Sequence, residues 1–265
     1  MSAQYVDVTR DGDIVTVTLN WPEKRNALAA DVMRELTEAL REVGKSDATG
    51  VILAANGPVF SAGHDFGDMK DASLDDAREL LDVCTAMMNT IQEIPQPVVA
   101  KVHALATAAG CQLVASCDLA IAAESAGFAI PGGKGGVFCH TPLVAVARNL
   151  GRKRALEMAL TGDVISAAKA AEWGLINRAV PDDELDAAVA DLIHRATRGS
   201  VLSKALGKRG FYAQIDLPQE EAYAYAIELM ASTVVTPDGQ EGINSFLEKR
   251  KPNFTQRAQP DADGA

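Results

Sequence analysis

PVVAKVHALATAAGCQLVASCD, residues 97–118, carries the reading that decides the fold. Residues 98–102 form an apolar run with the pattern of a buried strand, and residues 111–117 form an apolar run of helical character. Between them lies a tight loop of small residues, and the helix opens at Ala108, Ala109 and Gly110. Alanine, threonine and glycine let backbone N–H groups come close to a bound group. The first N–H groups of a helix have no internal acceptor and carry partial positive charge, so a developing oxyanion is stabilised there. The alternative reading of the same residues is close strand-to-helix packing with no ligand.

Working outward, the loop GPVFSAGHDF at residues 57–66 repeats the arrangement after a short buried strand at 51–53. One crossover helix separates the two junctions. It starts at Ser73 with Asp76, lines one side with Leu80, Leu81, Cys84, Met87, Met88 and Ile91, and ends at Pro95 and Pro97. Parallel strands joined by such a crossover bring both loops to the same end of one sheet. Upstream, residues 5–9 and 14–20 alternate apolar and polar around Asp11-Gly12-Asp13, the signature of a hairpin with one solvated face. A loop with adjacent cations, Lys24 and Arg25, then leads to a helix marked by Val32, Met33, Leu36, Leu40 and Val43.

Downstream, residues 118–123 and 127–130 read as short strands. Residues 131–136, PGGKGG, read as a flexible glycine-rich loop that lacks the Lys-Ser or Lys-Thr of a phosphate-binding loop. Residues 156–160 are helical, 166–172 form a capped helix closed by Gly174, and 175–180 return to strand. From Asp182 the pattern is helical, with Thr236-Pro237 opening a last helix that closes at 249–252.

Composition bounds the function. Of the 265 residues 48% are hydrophobic and 23% charged, which places the chain among soluble globular enzymes and away from disorder. A net charge of −11 disfavours nucleic acid and anionic membrane surfaces, whose charge it repels. Cys84, Cys111, Cys117 and Cys139 form no C-x-x-C pair and sit in apolar or small-residue stretches, as buried free thiols do. His64, His140 and Asp118 lack the spacing of helical metal ligands, so no metal site is expected. No apolar run reaches the roughly 18 residues that span a bilayer. The first residues carry no apolar leader core, so a cytoplasmic location is expected.

Five stretches in order resemble the crotonase superfamily, the enoyl-CoA hydratase/isomerase family. They are Lys24-Arg25-Asn26-Ala27-Leu28, Phe60-Ser61-Ala62-Gly63-His64-Asp65, residues 104–118, Leu160-Thr161-Gly162 with Ile165-Ser166-Ala167, and Phe246-Leu247-Glu248-Lys249-Arg250-Lys251-Pro252. Residues 105–118 are similar almost letter for letter to the enoyl-CoA hydratase domain-containing 3 group. The resemblance implies an α/β fold of the crotonase (ClpP-like) type, a spiral of ββα units with a helical C-terminal trimerisation region. It implies a core over residues 1–200, the trimerisation helices over 201–256 and a loose tail over 257–265, assembled as a homotrimer or a dimer of trimers.

The resemblance also implies an acyl-CoA substrate, coenzyme A entering as part of the thioester and no permanently bound cofactor. The thioester oxygen is implied to lie between the N–H groups of His64 and Ala109. Lys24 and Arg25 match the loop beside the nucleotide end of coenzyme A, where phosphates need cations. Ala27, Ala62, Gly63, Asp65, Phe66, Leu105 and Pro131 match positions along the coenzyme A site, Asp65 serving equally well as a turn stabiliser. Ala109 stands where the family usually has glycine, which keeps the N–H and narrows the site.

The two glutamates with which family hydratases handle water correspond to Gln112 and Gly132. An amide orients water but exchanges no proton near neutrality, and glycine offers no group at all. Losing one acid/base group costs roughly 10²- to 10⁴-fold, so efficient hydration is not expected. His64 and His140 are the remaining groups that titrate near neutrality, with Cys139 and Thr107 as further polar candidates. Ser61-Ala62-Gly63-His64-Asp65 also resembles methylmalonyl-CoA decarboxylase, so a decarboxylase or isomerase of the superfamily stands beside a non-catalytic acyl-CoA-binding protein as an alternative. An RNA-binding role, found in some members, is disfavoured by the acidic charge.

Overall fold

In the computed structural model, which describes residues 5–255, the chain winds in turns that each add a long strand to a main sheet and a short strand to a second layer. β1 (Val6–Asp11) and β2 (Ile14–Leu19) pair as the expected antiparallel hairpin. β3 (Ala27–Leu28) and α1 (Ala30–Lys45) complete the first turn. β4 (Gly50–Ala55), β5 (Gly63–His64), α2 (Phe66–Met69) and α3 (Leu74–Glu93) make the second. β6 (Val98–Val102), β7 (Ala106–Thr107) and α4 (Ala109–Ser116) make the third, followed by β8 (Leu119–Ala123) and β9 (Gly127–Ala129).

The main sheet runs β1-β2-β4-β6-β8-β11, with β11 at Arg178–Val180 and every pairing after the hairpin parallel. In the second layer β3 pairs β5, and β9 pairs both β7 and β10 (Ile165–Ser166). A bridge between Ser61 and Ala106 joins the two groups of short strands. The repeat of long strand, short strand and helix is the ββα spiral that the resemblance implied.

β4 and β8 are apolar along their length, and β6 is so but for Lys101, because both faces are covered, as parallel strands require. One face packs on the large core that includes Met33, Leu36 and Leu40 of α1 and Met87 and Ile91 of α3. On the other face Val99, Ile121 and Ala123 meet Leu185, Val189 and Ile193 of α8 (Leu185–Thr197). The start of α3 is fixed by a reciprocal cap, in which the Ser73 hydroxyl accepts Asp76 N–H and the Asp76 carboxylate accepts Ser73 N–H.

Residues 131–136, read as a glycine-rich loop, carry an element of their own. Pro131–Gly135 folds as a 3-10 turn that closes on Gly136 at φ +88°. α5 (His140–Leu150) arises where no element was expected, because its buried stripe is only Pro142, Val146 and Leu150. α6 (Arg152–Thr161) and α7 (Ala167–Trp173) follow, α7 capped by Ser166 and closed at Gly174. All four cysteines are free and buried, and burial pushes the Cys84 and Cys111 thiols up to about 12.

α9 (Val201–Gln214), α10 (Gln219–Val234) and α11 (Pro237–Leu247) finish the chain. α9 is clamped to the core by one buried charge cluster. Lys208 Nζ lies 2.7 Å from the Asp118 carboxylate and donates to the carbonyls of Ile91 and Gln96. Asp118 also accepts the Tyr212 hydroxyl at 2.8 Å and Val98 N–H at 2.7 Å. The tail expected over 257–265 lies outside the described residues.

Candidate active site

Three loops meet at the end of the short strands, and Ser61 is where they are joined. Its buried hydroxyl donates to Asn26 O at 2.8 Å and accepts Gly63 N–H at 3.2 Å, while its carbonyl accepts Thr107 N–H at 3.0 Å. Phe60 N–H donates to Leu105 O, and Ala62 N–H to Arg25 O. Gly110 is needed for this approach, because a Cβ there would lie 2.5 Å from Ser61 O and 2.7 Å from Ser61 Cβ.

The first loop is held from beneath by Asn26, whose buried amide accepts Trp21 N–H and donates to the carbonyls of Asn56 and Val59. Arg25 and Asn26 both take positive φ, at +55° and +49°. Lys24 and Arg25 are thereby carried exposed at the rim, with no carboxylate partner among the described residues. Ala27 is buried in β3 opposite Gly63.

In the second loop His64 stands opposite Leu28 in the β3–β5 ladder and is partly buried. Burial pushes its imidazole below the usual histidine range, with the nearby Asp68 opposing the shift, and Nε2 has no partner among the described residues. The ring is therefore neutral at pH 7, with one donor and one acceptor nitrogen. Asp65 caps α2 by accepting Gly67 N–H at 2.7 Å, which meets the turn-stabilising reading of that residue. Phe66 is 79% exposed.

The third loop is the start of α4. Ala108 is its N-cap at φ +51° and ψ −121°, and its N–H donates to Ala129 O at 2.9 Å. A positive φ with ψ near −120° is a conformation that glycine favours, and holding it at a residue with a Cβ costs on the order of 1–3 kcal/mol. The N–H groups of Ala109, Gly110 and Cys111 have no acceptor among the described residues, and Ala109 is fully buried. Unpaired buried N–H groups are rare in folded proteins. One turn along the helix, Gln112 is 5% exposed and its Oε1 also lacks a partner among the described residues.

The 3-10 turn borders this region. Gly132 N–H lies 3.2 Å from Cys139 Sγ, and a Cβ at 132 would collide with Val137 O and come within 2.7 Å of Cys139 Sγ. The space into which a side chain at 132 would project is already filled. Burial pushes the Cys139 thiol up. Leu105, Thr107 and Pro131 are half-buried, whereas His140, the first residue of α5, is exposed with its ring 5.0 Å from that of Phe138. Among the described residues no three His, Cys, Asp or Glu side chains form a group that could hold a metal.

A sequence profile of the enoyl-CoA hydratase/isomerase family matches residues 9–257. The chain belongs to the enoyl-CoA hydratase/isomerase family. It is 42% identical over 247 residues to the mouse protein named enoyl-CoA hydratase domain-containing protein 3, mitochondrial, covering 92% of this chain and 82% of that one. The human protein of the same name is 40% identical over 253 residues, covering 95% and 82%. Among solved structures, an enoyl-CoA hydratase of Mycobacterium smegmatis superposes with a TM-score of 0.92 at 42% identity, covering 95% of this chain and 99% of that one. The human enoyl coenzyme A hydratase domain-containing protein 3 gives 0.91 at 39%, covering 95% and 100%. The spiral is thus the crotonase fold.

The same family relatives overturn the cytoplasmic location expected above. Those from mouse, rat, zebrafish, human and frog are named as mitochondrial, which points to the mitochondrion instead. The expectation rested on the lack of an apolar leader core, a test of secretion only. Mitochondrial leaders are amphipathic and arginine-rich, so that test does not sense them. No helix among the described residues is long and apolar enough to cross a membrane.

Proposed function

We propose that this chain binds acyl-CoA thioesters and stabilises the oxyanion or enolate that forms at the thioester carbonyl. The observation that carries the reading is the buried Ala109 N–H at the start of α4, which has no acceptor among the described residues. Charge that develops on a thioester oxygen is stabilised there by a preorganised donor and the helix dipole, at no cost in reorganisation. His64 N–H is the second donor by the family resemblance. Lys24 and Arg25, exposed and free of carboxylates, are suited to the phosphates of coenzyme A, which arrives with each substrate.

Ala27, Ala62, Gly63, Asp65, Phe66, Leu105 and Pro131 line the coenzyme A and pantetheine path in this reading. The reaction is of the lyase or isomerase kind at the carbon next to the thioester, without efficient water addition. Gln112 offers an amide in place of one carboxylate, and the filled space beside Gly132 admits no second one. The neutral imidazole of His64 is one group able to take a proton, and His140, exposed beside Phe138, is the other candidate. The assembly is a homotrimer or a dimer of trimers built through α9 to α11.

The filled space at Gly132 also favours the second reading, a binding protein without catalysis. A panel of enoyl- and malonyl-type CoA thioesters separates them. Hydration of crotonyl-CoA is expected at under a hundredth of the enzyme median of about 10 s⁻¹, with turnover on another thioester of the panel. Binding of every thioester with turnover of none selects the second reading. Crotonyl-CoA hydration near 10 s⁻¹ overturns the site assignment.

A further inference from the structure

Each of the two residues assigned as donors is preceded by a residue of positive φ, Gly63 at +84° before His64 and Ala108 at +51° before Ala109. The two positive-φ residues face each other. A Cβ built on Gly63 would lie 2.8 Å from the Ala108 methyl, 3.0 Å from Ala109 N and 3.0 Å from Thr107 O. The Ala108 methyl therefore rests against the Gly63 backbone, between the two donor loops. Glycine at 108 would adopt the same φ and ψ without steric cost, yet the chain carries a side chain there. Its Cβ touches the opposite loop one residue from the His64 N–H.

We propose that Ala108 is a positioning residue whose methyl sets the spacing between the His64 and Ala109 loops and so the alignment of their N–H groups on the thioester oxygen. The inference rests on the oxyanion reading above. Its physical basis is that a donor's contribution to charge stabilisation depends on sub-ångström placement, and that a glycine at 108 would leave a gap the two loops could close or widen.

The test uses a chromophoric conjugated thioester, 4-(dimethylamino)cinnamoyl-CoA, whose absorbance moves to the red when donors polarise its carbonyl. The wild type is expected to shift the bound probe, Ala108→Gly to lose at least half of the shift with affinity for free coenzyme A unchanged, and Ala108→Ser, which keeps the Cβ, to retain most of it. An undiminished shift in Ala108→Gly overturns the positioning role alone. Loss of the shift together with loss of coenzyme A affinity also overturns it, since the methyl would then be general packing. A wild type that binds the probe without any shift, or does not bind it, overturns the oxyanion reading and this inference with it.

Discussion

Gly132 is set by space rather than by φ, since its own backbone is unstrained while a Cβ would meet Val137 O and Cys139 Sγ. Gly132→Ala is expected to lower stability by about 1–3 kcal/mol in urea denaturation, the cost of overpacking a closed turn. A Gln112→Glu, Gly132→Glu double variant is expected to gain no hydration of crotonyl-CoA, because the second carboxylate has no room beside the turn. His64 makes a pH-dependent contribution whose sign follows from burial. The unfolded chain protonates this ring below about pH 6.5, whereas the folded site resists protonation to lower pH. Stability from this residue is thus full above that range and is lost as pH falls through the lowered folded value. The urea midpoint should fall less between pH 7.5 and 5.5 in His64→Ala than in the wild type, and equal falls would count against a neutral buried ring. At this scale the chemistry of Gln112 and Gly132 was legible in the chain. The positive φ of Ala108 and the blocked space at 132 were not: the first is held by loops distant in sequence, and the second by how the turn folds back on Val137 and Cys139, which no residue type announces.

Among the elements, α9 depends on a partnership between residues far apart in the chain. Burial pushes the Asp118 carboxyl up and the Lys208 ammonium down; their 2.7 Å contact opposes both shifts, and the donors Val98 and Tyr212 oppose that of Asp118 further. Lys208→Met leaves a buried carboxylate without its cation and is expected to cost about 3–5 kcal/mol, measured by urea denaturation. Adding Asp118→Asn to that variant should recover a large share, because the unpaired charge is then gone. An acidic residue in the apolar run VASCDLA announces a buried charge in the sequence. Its partner, 90 positions on, does not announce itself. The same contrast separates α3, whose Ser73–Asp76 cap and apolar stripe are local, from α5, whose three buried residues leave too thin a stripe to read.

For the whole molecule, α9 to α11 leave large apolar side chains in the open, with Phe246 at 82% and Met230 and Leu247 at 71% exposed. Patches of this kind on a soluble chain mark contact surfaces. Light scattering at micromolar concentration is expected to give the mass of a trimer or of two trimers, and a monodisperse monomer would exclude the proposed assembly. The acidic net charge and the two rim cations make a further prediction. Calorimetric titration should show free coenzyme A binding at least tenfold more weakly to a Lys24→Ala, Arg25→Ala variant at 50 mM salt. The difference should shrink at high salt, where phosphate contacts are screened.

By itself the sequence determined the order of the long strands and of the helices other than α5, and the two small-residue junctions, since these rest on periodicity, caps and residue size. It also determined which chemical groups are present and absent near them. Tertiary structure decided how the junctions meet: Ser61 joins three loops, Gly110 lets them close, and Ala108 is held at positive φ against Gly63. It also turned a glycine-rich stretch into an ordered 3-10 turn and paired Lys208 with Asp118. The joining of the loops and the Lys208–Asp118 pair depend on segments tens of residues apart, and the turn on hydrogen bonds within residues 132–139; the steric and desolvation terms of each exist only in the folded chain.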